Sequence, residues 1–174
     1  AWNGENYPFE AWNADQTLQS AMTSSVNWYF QSIDEQLAST NIYNYIQQIG
    51  YGNENVSGDL STYWLESSLK ISPVEQVELL MKLQNNSLGF SSENINAVKD
   101  SICLSSSNTG KFYGKTGTGR VGGQDVNGWF IGYIEIVNNI YFFATNIGAD
   151  NNATGSNAAE ITMSILSDMN IWTQ

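Results

Sequence analysis

Lysine, threonine and glycine stand together in Lys115-Thr116-Gly117-Thr118-Gly119, at the end of a run rich in aromatic and β-branched residues. On one strand edge this set offers an ammonium, two hydroxyls and unobstructed backbone N–H groups, which suits an anionic ligand lying against the chain. A phosphate-binding loop also uses Gly-Lys-Thr, but it needs a further glycine with four residues between it and that triplet. Thr109 holds that position, with Gly110 one place too late. The residues after Lys115 also read as strand and loop, where a phosphate loop would feed a helix. Three more polar groupings precede the lysine: Ser25-Val26-Asn27, Tyr51-Gly52-Asn53 and Tyr63-Trp64-Leu65. A serine nucleophile with a lysine base needs Ser-x-x-Lys at the start of a buried helix, and the single match is Ser67-Ser68-Leu69-Lys70. With no histidine in the chain, Ser-His-Asp triads, Cys-His dyads and His-ligated zinc are excluded.

The elements that must position these groups divide the chain in two. From residue 13 apolar residues recur at helical spacing (Leu18, Met22, Val26, Tyr29, Ile33, Leu37), with Asn13 and Gln16 as the expected capping pair and a break near Ser24. A second helix is expected over 40–48, stopped by Gly50. Ser72-Pro73-Val74-Glu75 is a capping box with proline in the first turn and predicts a third helix to about Gln84. A fourth is expected over 93–104, with Cys103 buried on its face. The texture then changes to three strands, 111–118, 127–137 and 139–147, the last two joined by a tight turn at Asn138-Asn139 and the first two by a longer loop. A closing helix is expected over 156–169. Helices, an antiparallel meander and a helix make an α+β fold, expected to form one unit over 1–174.

Seventeen acidic against six basic side chains give a formal charge of −11, so nucleic acid is excluded as an expected partner. Cys103 is the sole cysteine, and the fold must hold by packing alone. No window approaches the roughly 20 apolar residues of a membrane span, and no leader peptide is expected. Neither a cofactor nor a metal site is expected.

The stretches NADQTL, SVNWYFQ, YGNENVSG, SSLKIS and GKTGTG with NGWFIGYIE, in that order over residues 2–171, resemble the penicillin-recognising serine proteins. Within them the chain is similar to class D β-lactamases and, more closely, to the penicillin-binding sensor domain of BlaR/MecR-type signal transducers. Ser25-x-Asn27 divides the branches: class D enzymes usually carry valine where this chain has Asn27. The family's base is a lysine carbamate, which apolar neighbours protect. The resemblance implies that asparagine lets a sensor lose that base after acylation and so keep its acyl group.

Carried over residue by residue, the resemblance implies that Ser25 shuttles protons near the β-lactam nitrogen and that Asn27 lies beside the base. Lys115 would supply positive charge, and Thr116, Gly117 and Thr118 would receive the ligand, whose carboxylate meets the two threonine hydroxyls. The Thr118 N–H would be one arm of an oxyanion hole, and Trp64 would pack near the modified lysine. The family's first motif, Ser-x-x-Lys, should precede Ser25, where this sequence has none; Ser67-Ser68-Leu69-Lys70 follows the second motif, beside Trp64-Leu65, where the resemblance implies a loop, so Ser67 is expected to be a decoy. The expectation is therefore the C-terminal two-thirds of a sensor domain, not acylated on its own. Its implied partners are β-lactam antibiotics and a parent transmembrane transducer, at the extracellular face of the membrane. The family's sheet has five strands and a buried nucleophile helix, so exposed apolar surface, strand exchange or a dimer is expected. Two other readings remain open at this point: a class D β-lactamase fragment, favoured by YGN and Trp64-Leu65, and an inactive paralogue.

Overall fold

The computed structural model describes residues 1–172. A 3-10 turn at Glu10–Trp12 leads into five helices, α1 (Leu18–Thr23), α2 (Asn27–Ile49), α3 (Pro73–Gln84), α4 (Ser92–Ser101) and α5 (Gly155–Asp168). Between α4 and α5 run four strands, β1 (Cys103–Ser106), β2 (Gly110–Val121), β3 (Gln124–Ile136) and β4 (Asn139–Gly148). The strands form one antiparallel sheet in sequence order. Two-residue alternation sends Phe112, Phe130 and Ile134 to the face covered by α5. Their neighbours Tyr113 and Tyr133 go to the opposite face, against Leu80 of α3 and Ile102 at the end of α4. Tyr133 and Ile134 are fully buried, one on each face, and burying the Ile134 side chain contributes about 1.5–3 kcal/mol.

The α+β class and the order helices, meander, helix stand as expected, but the sheet has four strands and not three. The fourth strand, β1, occupies residues assigned to the end of the helix over 93–104. No glycine or proline marks the change; α4 instead ends where the Ile102 carbonyl accepts from the Gly114 N–H at 2.9 Å, which draws the chain into the sheet. Cys103 therefore opens β1, half-buried, and does not lie on a helix face. The longer loop expected between the first two strands is a tight hairpin. Gly122 and Gly123, at φ 57° and 82°, make the two-residue turn that matches strand twist, so β2 and β3 extend to Val121 and Gln124. Asn138 (φ 67°) closes the next hairpin, where Ile136 pairs with Asn139.

The Ser72–Glu75 capping box opens α3 as predicted. Helix α1, by contrast, is opened by a box between Thr17 and Ser20 and not by Asn13 and Gln16. The Asn13 carboxamide oxygen accepts instead from the Tyr7 N–H at 2.7 Å. The break near Ser24 is present. The two helices expected over 13–37 and 40–48 continue as α2 across a non-helical residue, Ala38 (φ 63°, ψ 154°). Gly50 ends α2 in the left-handed region, as glycine readily does. No helix among the described residues is long and apolar enough to cross a membrane.

Candidate functional site

Between α1 and α2 the chain turns on Ser25. The Ser25 N–H donates to the Met22 carbonyl at 3.3 Å and the Val26 N–H to the Ala21 carbonyl at 2.9 Å, while Ala21 and Val26 are wholly buried. This helix stop normally uses glycine at its left-handed position, yet Ser25 occupies it at φ 51°. The outcome is an exposed hydroxyl held at a fixed place. The Lys115 Nζ, ninety residues away in sequence, donates to that Ser25 Oγ at 2.6 Å and to the Thr116 carbonyl at 2.8 Å.

Lys115 has no carboxylate within salt-bridge distance among the described residues. It borders an apolar groove of about 470 Å3, lined by Met22, Leu79, Leu80, Leu83, Ile95 and Ile131 among others. Burial there holds its ammonium below the usual lysine range. Beyond Gly114, β2 has no partner on the side where β1 pairs, so Thr116, Gly117 and Thr118 present a free and exposed edge. The Thr118 Oγ1 accepts from the Gly155 N–H at 2.9 Å, which leaves the hydroxyl proton to donate elsewhere. Gly155, first residue of α5, packs so closely that a Cβ would lie 2.7 Å from the Gly117 carbonyl oxygen. The arrangement combines one uncompensated cation, two hydroxyls and the free Thr116 and Thr118 N–H groups along a single edge, groups whose chemistry suits a carboxylate.

The other expected residues fall differently. Asn27 opens α2, half-buried, and its carboxamide makes no hydrogen bond among the described residues. The Trp64 indole Nε1 donates to the Asp34 carboxylate on α2 at 3.0 Å. Burial raises the Asp34 pKa, and hydrogen bonds from Trp64 and Tyr63 partly offset this. Tyr63, beside it, is pushed up to about 12 by burial and then by the Asp34 charge. Tyr51-Gly52-Asn53 is the neck of the loop over 51–71. The Asn53 carboxamide accepts from the Lys70 N–H at 2.9 Å and donates to the Ser68 carbonyl at 2.9 Å. A Cβ on Gly52 would fall inside the Lys70 carbonyl. Ser67-Ser68-Leu69-Lys70 is non-helical and Lys70 faces Glu66 at 3.9 Å, so Ser67 has no lysine one turn away. Glu66, against Gly119, and Gly155, against Gly117, border the site without having been singled out in the sequence. Thr154-Gly155 was the one visible signal, a helix cap followed by a residue without a side chain.

Comparison with known proteins agrees with this geometry. The model described as "Penicillin binding protein transpeptidase domain" matches residues 1–167. Regulatory protein BlaR1 of Bacillus licheniformis is 47% identical over 171 residues, 98% of this chain and 28% of its own. The chain thus spans under a third of that curated relative. Among solved structures, the C-terminal domain of the Bacillus licheniformis BlaR penicillin-receptor superposes with a TM-score of 0.93 at 46% identity, covering 99% of this chain and 70% of that one. A class D β-lactamase from Bacillus subtilis superposes with a TM-score of 0.91 at 36% identity, covering 99% and 70%. With its Ser25–Lys115 pair and open strand edge in a transpeptidase-like α+β fold, the chain belongs to the penicillin-binding protein transpeptidase-domain family, alongside the BlaR receptor domain and the class D β-lactamases.

Proposed function

We propose that the chain is the ligand-receiving part of a β-lactam sensor, borne on the extracellular face of the membrane by a larger transducer. The single observation that carries this is Lys115, a half-buried ammonium held by a serine hydroxyl with no carboxylate to neutralise it. A β-lactam carboxylate supplies that charge at the Lys115–Thr116 end of β2, with the Thr116 and Thr118 hydroxyls completing the cradle and Gly117, which has no side chain, leaving it open. Its carbonyl then lies at the Thr118 N–H. Acylation adds a serine oxygen to the lactam carbonyl and breaks the C–N bond; the proton passes through Ser25 to the ring nitrogen. The nucleophilic serine of a Ser-x-x-Lys pair lies outside these 174 residues, in the part of the parent domain that would occupy the apolar groove beside Lys115. These residues are accordingly one partial domain of the sensor, and the outer edge of β4 is where a further strand, from the parent or from a second copy, would add.

Asn27 favours a sensor over a hydrolase, because its carboxamide has no partner among the described residues and stands free to compete for a lysine base. Intact-mass analysis after benzylpenicillin addition tests the proposal. The 174-residue chain is expected to stay unmodified, and the full-length parent to carry an adduct for hours. Rapid drug consumption with return of the starting mass would make the protein a β-lactamase instead, and a lasting adduct on the short chain would overturn the placing of the nucleophile.

A further inference from the structure

Lys115, Gly117 and Gly119 alternate onto one face of β2. A Cβ on Gly117 would meet nothing nearer than 3.7 Å, so this residue is an open floor. At the far end a Cβ on Gly119 would fall inside the Glu66 carboxylate, which lies directly over that glycine. Four residue steps along the strand separate the two ends by about 13 Å. The face therefore presents a cation at one end, glycine between, and a carboxylate at the other.

Glu66 is held there by more than chance contact. Its Oε1 accepts from the Asn127 amide at 2.9 Å, and Asn127, paired with Gly119 across β2 and β3, itself accepts from Asn146 at 2.6 Å. The relay fixes which end of the Asn127 carboxamide faces Glu66. The Glu66 backbone takes φ 37°, a conformation costly for a residue with a side chain and the kind that collects at ligand sites. Its side chain is only 26% exposed, and its second oxygen has just the Lys70 ammonium at 3.9 Å, on a side chain 57% exposed. One carboxylate oxygen is left with capacity for a donor.

We infer that Glu66 is a specificity residue selecting zwitterionic β-lactams, those bearing an ammonium on the acyl substituent. The inference rests on the sensor reading above. With the ligand carboxylate at Lys115 and its carbonyl at Thr118, the acyl substituent runs on toward Gly119, where Glu66 waits. An ammonium there completes the second charge pair, and a carboxylate there is repelled.

The test compares second-order acylation rates of the full-length protein with ampicillin and benzylpenicillin, which differ by one amino group. Measurements at pH 6 lie below the roughly 7.7 pKa of an ordinary α-amino group, so the amine is charged. Glu66→Gln retains an acceptor for Asn127 and is expected to lower the ampicillin-to-benzylpenicillin ratio about fivefold, the size of a partly screened ion pair. Lys70→Gln, on an exposed side chain, removes the competing cation and is expected to raise the ratio about twofold. An unchanged ratio in Glu66→Gln, with benzylpenicillin acylation intact, overturns the role of Glu66 and leaves the sensor reading standing. Should Glu66→Gln lose all acylation, an unchanged ratio in Lys70→Gln overturns it equally. Absence of acylation of the wild type by either drug overturns both readings together.

Discussion

Replacing Ser25 by glycine and, separately, by alanine separates two jobs of one residue. Both changes remove the hydroxyl that accepts from Lys115 at 2.6 Å. Only glycine relieves the backbone, which sits at φ 51°. Holding an L-residue in the left-handed region costs about 1–2 kcal/mol, and glycine gives back about 0.5–1 kcal/mol through its greater freedom in the unfolded chain. The glycine variant should therefore be more stable than the alanine variant by about 0.5–1 kcal/mol, the reverse of the order at an ordinary helical position. In a chain of this size that difference moves the melting midpoint by about 1–4 °C. Thermal unfolding of the two variants, followed by far-ultraviolet circular dichroism, is the assay. An alanine variant as stable as the glycine variant, or more so, would refute the strained stop between α1 and α2. In the full-length parent both changes should slow acylation by β-lactam well below the wild-type rate, so glycine at this site couples a gain in backbone ease to a loss of function.

Three further outcomes follow from the same geometry. For Lys115→Met, the folded lysine's lowered pKa means its charged form is penalised while protonated; wild type should therefore gain stability relative to the variant as pH rises toward 10.5, as urea titrations at several pH values would detect. Asp34→Asn keeps an oxygen for Trp64 and Tyr63 while removing a half-buried charge. Because the Asp34 pKa is raised on folding, the variant should exceed wild type in stability at neutral pH, with the gap closing as pH falls through that raised value toward 3.8. Gly155→Val forces side-chain atoms against the Gly117 backbone and Thr116 Cβ; a loss of about 1–3 kcal/mol in denaturant unfolding is expected, with weakened ligand binding as Thr118 is displaced.

Local signals in the sequence located most of the helical framework. The Ser72–Glu75 box and Gly50 act through neighbours three or four residues away, and both elements end where those neighbours dictate. The Lys115 strand was legible from its β-branched and aromatic context. Its meeting with Ser25 was implied only by family resemblance, because no periodicity reports a contact ninety residues long. What escaped the sequence was also nonlocal. β1 exists because β2 offers it hydrogen bonds, and nothing within Ile102-Cys103-Leu104 distinguishes that ending from more helix. Glu66 and Asp34 looked like two of seventeen solvated acids until the loop over 51–71 carried the first onto Gly119 and brought Trp64 to the second. Trp64 was singled out by resemblance alone, and its bond to Asp34 was not legible, because nothing local pairs an indole N–H donor with an acceptor thirty residues earlier in the chain.

The backbone at Ala38 turns α2 into two levers on one joint. Ahead of it, Gln31 donates to the Ser61 carbonyl and Asp34 accepts from Trp64, so that half travels with the loop bearing Glu66. Behind it, Gln48 donates to the Leu88 carbonyl and Tyr45 rests on Phe90, so that half travels with the approach to α4. A continuous helix would carry a push at Trp64 along its axis like a rod. At φ 63° and ψ 154° the helical geometry is broken, so the half bearing Asp34 and the half bearing Gln48 are tied to separate parts of the fold and do not share one straight axis.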